Sequence, residues 1–314
     1  MKIIRYDLSE NKKIDELDVV RTAVAIGKFD GVHKGHRSII EDLISKKSLG
    51  LTTVVVSFEP YPAEYFGTGD FKYLSLFEEK AAMLKECGID ILILLKFDGF
   101  AADMAPEKFI KDFFVDKLRM AYIAAGKDLS FGSKGAGNVS LLEKYSCAFD
   151  YSIKVIPKLC DGDAEISSSL IRKMIEDGDV KRANGYLGYP YSFTGEVIRG
   201  RHLGSSIGFP TINVKPDDKK VIPKFGVYYS SVIVDGVKYA GLTNVGVKPT
   251  VGSDGVLLET YIYDFDRDIY GKTVKVSLHE FKRPEKKFES VDELKKALLN
   301  DINEGKNNQK AIHI

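Results

Sequence analysis

One stretch near the N-terminus constrains the fold of this chain more than any other. An apolar run of strand length at 22–26 leads into a glycine-rich loop, GKFDGVHKGH, at 27–36. Apolar residues then repeat at helical spacing at positions 39, 40, 43 and 44. The glycines allow a sharp bend, and the first turn of a helix offers unpaired N–H groups that suit a phosphate. The stretch therefore predicts a strand, a turn and a helix with an anion site between them.

Two histidines of this loop, His33 and His36, are three residues apart and can face one ligand from the first helical turn. Taken alone, such a pair is just as typical of surface residues or of half a zinc site. A structural zinc ion needs about four ligands. The chain has five His, three Cys and no C-x-x-C motif, so zinc is not expected.

Length and charge set further bounds. A chain of 314 residues with 44% hydrophobic content has room for two domains with real cores. The net charge of +1 gives no electrostatic reason to expect nucleic acid or an anionic membrane as partner. There is no signal-peptide core, no apolar run long enough to span a bilayer, and the three cysteines are scattered. These features predict a cytoplasmic protein with reduced thiols.

Strand-like and helix-like segments alternate from residue 22 to about 178. Further strands are predicted at 52–58, 89–97, 121–125 and 151–157, with helices at 77–87 and 106–118. This alternation predicts a doubly wound parallel sheet of the α/β class. Such sheets bind ligands beyond the carboxyl ends of their strands, so the loops that leave the strands are the candidate sites.

Two more loops fit that position. The loop at 126–138 has four glycines and two lysines, a composition equally typical of a flexible surface loop. The segment at 166–172 places Ser167, Ser168 and Ser169 before a predicted helix, followed by Arg172. Capping of the helix explains one serine, whereas three hydroxyls and an arginine favour a phosphate site.

The pattern changes after residue 178. Glycines and a proline between 178 and 191 interrupt the helical periodicity, and we place a domain boundary there, giving domains 1–184 and 185–314. Beyond it, strand-like segments at 225–241, 257–265 and 273–281 include an Asp235-Gly236 hairpin signal. They predict a small antiparallel β-barrel or sheet, closed by one helix that starts at a capping box at 290–293.

A second glycine-rich stretch, at 195–213, opens this half and ends in Gly208-Phe209-Pro210-Thr211-Ile212-Asn213. If the segment is extended, Thr211 and Asn213 face the same side. A hydroxyl and an amide oxygen are ligands that suit Mg²⁺, although spacing alone fits a plain glycine turn that feeds a strand.

Together these motifs resemble the bacterial bifunctional riboflavin kinase/FAD synthetases. The loop at 27–36 resembles that family's nucleotidyltransferase signature, and the loops at 126–138 and 166–172 resemble its G-x-D-F-x-F-G and I-S-S-T-x-I-R segments. The G-x-P-T-x-N motif at 208–213 resembles the kinase module, as do Glu259 before Asp264-Phe265 and the segment at 281–288.

The resemblance implies a Rossmann-like FMN adenylyltransferase domain followed by a riboflavin kinase barrel. Riboflavin, FMN, FAD and ATP are then substrates and products, with Mg²⁺ on Thr211 and Asn213. It implies that Glu259 is the base of the kinase and that His33 and His36 are catalytic at the ATP phosphates. It assigns ligand binding to Gly27, Phe29, Asp30, Gly31, Asp128, Ser167, Ser168, Ser169, Arg172, Gly204, Gly208, Pro210, Thr211, Asn213, Asn244 and Arg283.

The sequence departs from the family pattern at several positions. Tyr61 stands where a histidine is usual, Leu129 where phenylalanine is usual, and Asn138 where an aspartate is frequent. Two alternatives therefore stay open: a riboflavin kinase with a weakened adenylyltransferase domain, and a flavin and nucleotide sensor without turnover. In either case the helix dipole predicts that the two histidines are neutral.

Overall fold

Two units divide the chain, Met1–Ser168 and Ser169–Ile314. The computed structural model describes residues 1–10, 14, 19–67, 71–200, 208–250 and 253–312. The predicted domain boundary between 184 and 185 stays a prediction.

A six-stranded sheet forms the centre of the first unit, with the strand order β1-β4-β3-β2-β5-β6 and only parallel pairs. Its strands are β1 Lys2–Tyr6, β2 Thr22–Ile26, β3 Thr52–Glu59, β4 Ile91–Lys96, β5 Met120–Gly126 and β6 Ser152–Ile156. Every residue of β2 is buried, as expected of a central strand that is covered on both faces. The predicted doubly wound sheet is confirmed. Its edge strand β1, in which charged and apolar residues mix, has no clear sequence signal.

Helices cover both faces of this sheet. They are α1 Lys34–Ser45, α2 Pro62–Tyr65, α3 Phe77–Glu86, α4 Gly99–Asp103, α5 Pro106–Lys108 and α6 Val139–Ser146; α5 runs into a π-helix at Phe109–Lys117. Side chains alternate along β2, so Val24 packs with Phe113 on one face, while Ala23 and Ala25 pack with Leu43 on the other. A two-stranded ribbon of β7 Cys160–Asp161 and β8 Ala164–Glu165 follows the sheet.

Two helices precede the barrel, α7 Ser168–Asp177 and α8 Val180–Leu187. The sequence prediction that helical periodicity is interrupted at 178–191 is wrong for α8. Asp179 caps this helix at its start, Gly188 ends it with a φ of 82°, and Val180 and Ala183 are buried one turn apart. These local interactions outweigh the propensity cost of Gly185 inside the helix.

The second unit is a closed antiparallel barrel with the strand order β10-β13-β12-β11-β14-β9, as predicted. Its strands are β9 Tyr191–Ile198, β10 Thr211–Val214, β11 Gly226–Val234, β12 Val237–Thr250, β13 Ser253–Ile262 and β14 Thr273–Arg283. Asp235 and Gly236 both have positive φ and form the predicted hairpin turn between β11 and β12.

A terminal helix, α9 Val291–Ile312, closes the chain, and Ser290 Oγ accepts the N–H of Glu293 at 3.2 Å. The buried residue Ile302 of this helix packs against the outer face of the barrel, in a cluster with Val227, Tyr229 and Tyr263. Arg283 of β14 and Asp301 of α9 form an ion pair at 2.8 Å that ties the helix to the strands.

Candidate active sites

The loop after β2 is shaped by an unusual backbone. Phe29, Gly31 and Val32 all have positive φ, at 49°, 76° and 34°. The chain reverses through a short 3₁₀ turn at Asp30–Val32 and enters α1 with His33 as the N-cap residue. Because β2 and β5 are neighbours and the strand order changes direction there, this loop lies at the topological switch point of the sheet. The start of α1 is therefore placed where an α/β sheet binds its ligands.

The two predicted histidines lie together. The rings of His33 and His36 stack with centroids 3.7 Å apart, and the His36 N–H lies 3.4 Å from His33 Nδ1. Among the described residues nothing hydrogen-bonds to the enclosed Nδ1 of His36. Burial holds the pKa of His36 well below 6.5, and the positive charges of His33 and Lys80 lower it further. His36 is therefore neutral, as predicted, but burial rather than the helix dipole is the main cause.

Asp30 holds this loop from inside. It is fully buried, and its carboxylate accepts the backbone N–H groups of Leu74 and Ser75 at 3.1 Å. Ser75 Oγ in turn accepts the N–H of Gly31 at 2.8 Å, and Ser168 Oγ donates to the Asp30 carbonyl oxygen at 3.0 Å. Asp30 thus links three separate segments of the first unit around the loop.

The loop after β5 is firmly held. Phe131 and Gly137 exchange two backbone hydrogen bonds, at 3.0 and 2.8 Å, and a Cβ at Gly137 would lie 2.5 Å from the Phe131 ring. The loop is therefore anchored at Phe131 and Gly137, while most of its other residues are exposed. Asp128, whose side chain is 70% exposed, pairs with Lys158 at 3.3 Å, and Lys158 also binds Glu165 at 2.7 Å. Because β5 is next to β2, Asp128 follows a strand adjacent to the one that carries the histidines.

The helix at the serine segment begins earlier in the sequence than predicted. Helix α7 begins at Ser168, so only Ser167 precedes it, and Ser168 and Ser169 lie in the first turn. Ser169 is exposed and Arg172 is half-buried. The division between the two units falls between Ser168 and Ser169.

Sequence reasoning missed an aromatic cluster in the first unit. Tyr65, Phe66 and Phe97 have ring centroids 5.2 to 5.8 Å apart, and Phe66 is 61% exposed. The cluster follows the carboxyl ends of β3 and β4, and Phe100, 51% exposed, lies three residues after Phe97. The only signal in the sequence is the density of aromatic residues after two buried strands.

The predicted residues of the kinase half meet in one row across the barrel. Asn213 of β10 is opposite Glu259 of β13, Glu259 is opposite Asn244 of β12, and Val227 of β11 is opposite both Asn244 and Arg283. Opposite residues of antiparallel strands project from the same face. The alternate residues of these strands point into the barrel, where the fully buried Thr243 and Thr260 are hydrogen-bonded to each other. The row therefore lies on the outer face.

Oxygen atoms cluster at one end of this row. Thr211 Oγ1 is 3.0 Å from Glu259 Oε1, and Asn213, 8% exposed, lies two residues along the same strand. A Cβ at Gly200 would overlap the Asn213 amide, so a larger residue there would displace the amide. Hydroxyl, amide and carboxylate oxygens match the preference of Mg²⁺. Over the ranges that the structure describes, no group of three or more His, Cys, Asp or Glu side chains is arranged to hold a metal.

The remaining predicted residues either contact other side chains of this chain or lie in open surroundings. Asn244 donates to Glu285 at 2.9 Å, and Arg283 pairs with Asp301. Gly208 has a φ of 86° with open space around it, and Pro210 is exposed. Gly204 lies outside the described residues.

The fold and the sites of the two units define a class of protein, the two-domain nucleotide-dependent transferases. The first unit has a glycine-rich loop suited to phosphate binding on an α/β sheet, and the second has a cluster of oxygen ligands on the outer face of a barrel. Family models for FAD synthetase and riboflavin kinase match residues 16–170 and 187–308. The chain belongs to the bifunctional riboflavin kinase/FMN adenylyltransferase family.

Curated relatives and a solved structure are similar over most of this chain. Bifunctional riboflavin kinase/FMN adenylyltransferases from Listeria monocytogenes and Escherichia coli are 35% and 36% identical to it, over 89% and 88% of this chain and 90% of each relative. A crystal structure from Streptococcus pneumoniae, described as a macrolide-efflux protein, has a TM-score of 0.86 and 32% identity, covering 98% of this chain and 99% of that one. None of the helices in the described part of this chain has the length and apolarity needed to cross a membrane.

Proposed function

We propose that the second unit transfers the γ-phosphoryl group of ATP to riboflavin, and that the first transfers AMP from ATP to the resulting FMN, releasing pyrophosphate. The observation that carries the kinase half is the outer-face row in which Asn213, Glu259 and Asn244 lie side by side, with Thr211 hydrogen-bonded to the carboxylate. The loop before α1 at the switch point of the sheet supports the adenylyl transfer. The family membership supports it over the whole chain.

In the kinase reaction Glu259 acts as the base. The terminal hydroxyl of the ribityl chain attacks the γ-phosphorus, its proton passes to the Glu259 carboxylate, and the bond from the γ-phosphorus to the ADP oxygen breaks. The hydrogen bond from Thr211 orients the carboxylate before substrate binds. A positioned base of this kind typically contributes about 10²- to 10⁴-fold.

The oxygen donors beside this base fit a divalent cation. Thr211 and Asn213 would hold Mg²⁺, and the nearby backbone at Gly200 encloses the amide. When bound, Mg²⁺ neutralises charge on the β- and γ-phosphates of ATP. The protein holds these two donors on one short strand, β10, so their spacing is fixed before the nucleotide arrives.

In the adenylyl transfer the protein supplies alignment and charge compensation. A phosphate oxygen of FMN attacks the α-phosphorus of ATP, and the bond to pyrophosphate breaks. The first turn of α1 and the neutral ring of His36, stacked on His33, provide hydrogen bonds to the phosphates. Asp128 orients the nucleotide from the neighbouring loop, and Ser168 binds the pyrophosphate side.

The aromatic cluster offers a surface for the flavin ring of FMN. Tyr65, Phe66 and Phe97 expose apolar rings beyond the same sheet edge as the histidine loop, where a planar aromatic substrate gains from stacking. Phe66→Ala is expected to raise KM for FMN about tenfold, a loss of about 1.4 kcal/mol, and to leave KM for ATP unchanged. An unchanged KM for FMN in steady-state assays would remove the cluster from the proposed site.

The two alternatives make different predictions in one assay. Tyr61, the substitution that suggests a weakened adenylyltransferase, is 2% exposed and donates to the Lys28 carbonyl oxygen at 2.8 Å. The substitution therefore leaves no gap in the loop. Purified protein is incubated with ATP, MgCl₂ and either riboflavin or FMN, and the flavins are separated by chromatography. FMN and FAD are the expected products. Riboflavin turnover without FAD would favour the kinase alone, and no turnover at all would favour the sensor.

A further inference from the structure

A buried lysine lies beneath the histidine loop. Lys80 of α3 is 3% exposed, although lysine is seldom buried without a partner. Its Nζ donates to Ser57 Oγ at 2.8 Å and to the Tyr61 hydroxyl at 3.0 Å. The ammonium also lies 4.8 Å from the centroid of the Tyr61 ring. Three elements, β3, the segment after it, and α3, thus meet at one positive charge.

Both hydroxyls connect Lys80 to the loop by further hydrogen bonds. Ser57 Oγ and the Tyr61 hydroxyl each donate to the carbonyl oxygen of Lys28, at 3.1 and 2.8 Å. The next residue, Phe29, has a positive φ, which is a costly conformation for an aromatic residue. The double hydrogen bond fixes the peptide at the point where the backbone enters that conformation. The direction of the loop towards α1 therefore depends on the hydroxyl pair that Lys80 holds.

The charge of Lys80 also acts on His36. Burial lowers the pKa of Lys80 to about 8, while the carboxylates of Asp30 and Glu59 oppose this shift. The positive charge of Lys80 contributes to the lowered pKa of His36, together with burial and the charge of His33. Asp30, Glu59, His36 and the Tyr61 hydroxyl are thus titratable groups that interact with the ammonium in the described part of the chain. An apolar side chain in this position would avoid the desolvation cost of the ammonium.

We propose that Lys80 is a positioning residue of the adenylyl transfer: through Ser57 and Tyr61 it sets the direction of the phosphate-binding loop, and its charge adds positive potential beneath that loop. This inference rests on the proposed function of the first unit. It assigns Lys80 no contact with substrate. The phosphoryl transfer on the barrel does not involve it.

The first test compares Lys80→Met with Lys85→Met in the full-length chain. Methionine has a similar length but no charge, and Lys85 is an exposed lysine of the same helix. Displacing a catalytic loop by about 1 Å can cost on the order of 10²-fold. We expect Lys80→Met to lower kcat/KM for FAD formation from FMN on the order of 10²-fold, mainly through kcat. Lys85→Met should match the wild type, and all three proteins should convert riboflavin to FMN at the same rate.

The pH profile separates charge from packing. In the wild type, kcat/KM for FAD formation should fall above pH 8 as Lys80 loses its proton. Lys80→Met should show a low rate without this fall, and FMN formation should lack it in both proteins. An identical profile in wild type and Lys80→Met would overturn the role of the charge.

A more conservative variant tests the proposal even if Lys80→Met does not fold. Tyr61→Phe keeps the ring and the lysine but removes the hydroxyl that links Lys80 to Lys28. We expect about a tenfold lower kcat/KM for FAD formation, the loss expected for one hydrogen bond to a charged group, with the fall above pH 8 retained. Full activity of Tyr61→Phe would overturn the positioning role even if Lys80→Met does not fold. If the wild type forms no FAD, the proposed function fails instead.

Discussion

The buried ammonium of Lys80 makes the stability of the first unit depend on pH in an unusual direction. The pKa of Lys80 falls from an ordinary value of 10.5 to about 8 in the folded chain, because burial penalises the charged form. Between these two values the unfolded chain binds the proton and the folded chain does not, so stability rises with pH. At 1.36 kcal/mol for each pH unit, the full difference is roughly 3 kcal/mol, of which about 2 to 3 kcal/mol develops between pH 7 and pH 10.

Substitution by methionine removes this dependence. The free energy of unfolding of Lys80→Met relative to wild type should therefore decrease by about 2 to 3 kcal/mol from pH 7 to pH 10. Groups remote from Lys80 titrate alike in both proteins and cancel in this difference. Hydrogen exchange of the β2 and β3 amides in the full chain, followed by mass spectrometry at each pH, reports on the first unit alone.

Lys85→Met is the control, because its side chain is exposed on the same helix. Its difference from wild type should stay constant across the pH range. Parallel stability curves for wild type and Lys80→Met would refute the reasoning, since they would mean that Lys80 keeps the same affinity for its proton in both states. A Lys80→Met protein that is poorly active yet stable at pH 7 would distinguish positioning from structural support.

Four further variants test the two sites and the packing around two glycines. Glu259→Gln should lower FMN formation from riboflavin about 10²- to 10⁴-fold, because the base is lost, and leave FAD formation from FMN unchanged in the chromatographic assay. His36→Ala should do the reverse, with FAD formation reduced about 10²-fold for a lost phosphate contact; a loss of kinase activity instead would reverse the assignment of the two units. Gly137→Ala should destabilise the first unit by about 1–3 kcal/mol, because its Cβ would overlap Phe131, whereas Gly185→Ala, with open space in α8, should stabilise the second by about 0.5–1 kcal/mol in urea unfolding.

Local patterns in the sequence predicted much of this fold because they report on short-range physics. The buried strands β2 and β3, the helix at Phe77–Glu86, the Asp235-Gly236 turn and the capped start of α9 each have a signal in consecutive residues. Helix α8 escaped prediction because its glycine and its flanking turns obscured a short apolar stripe. The loop at 126–138 looked flexible from composition because its backbone pairing between Phe131 and Gly137 has no sequence signature.

The sequence by itself determined the fold classes of the two units, the glycine loops and the identities of the candidate residues. Periodicity and motifs depend only on the order of consecutive residues. Only the tertiary structure decided which of those residues meet. Barrel closure aligns Asn213, Glu259 and Asn244, which are far apart in the chain, in one row, and sheet packing buries Lys80 beneath the histidine loop. The physical reason is that strand register and burial arise from pairing between distant segments, and a sequence read in order contains no distances between them.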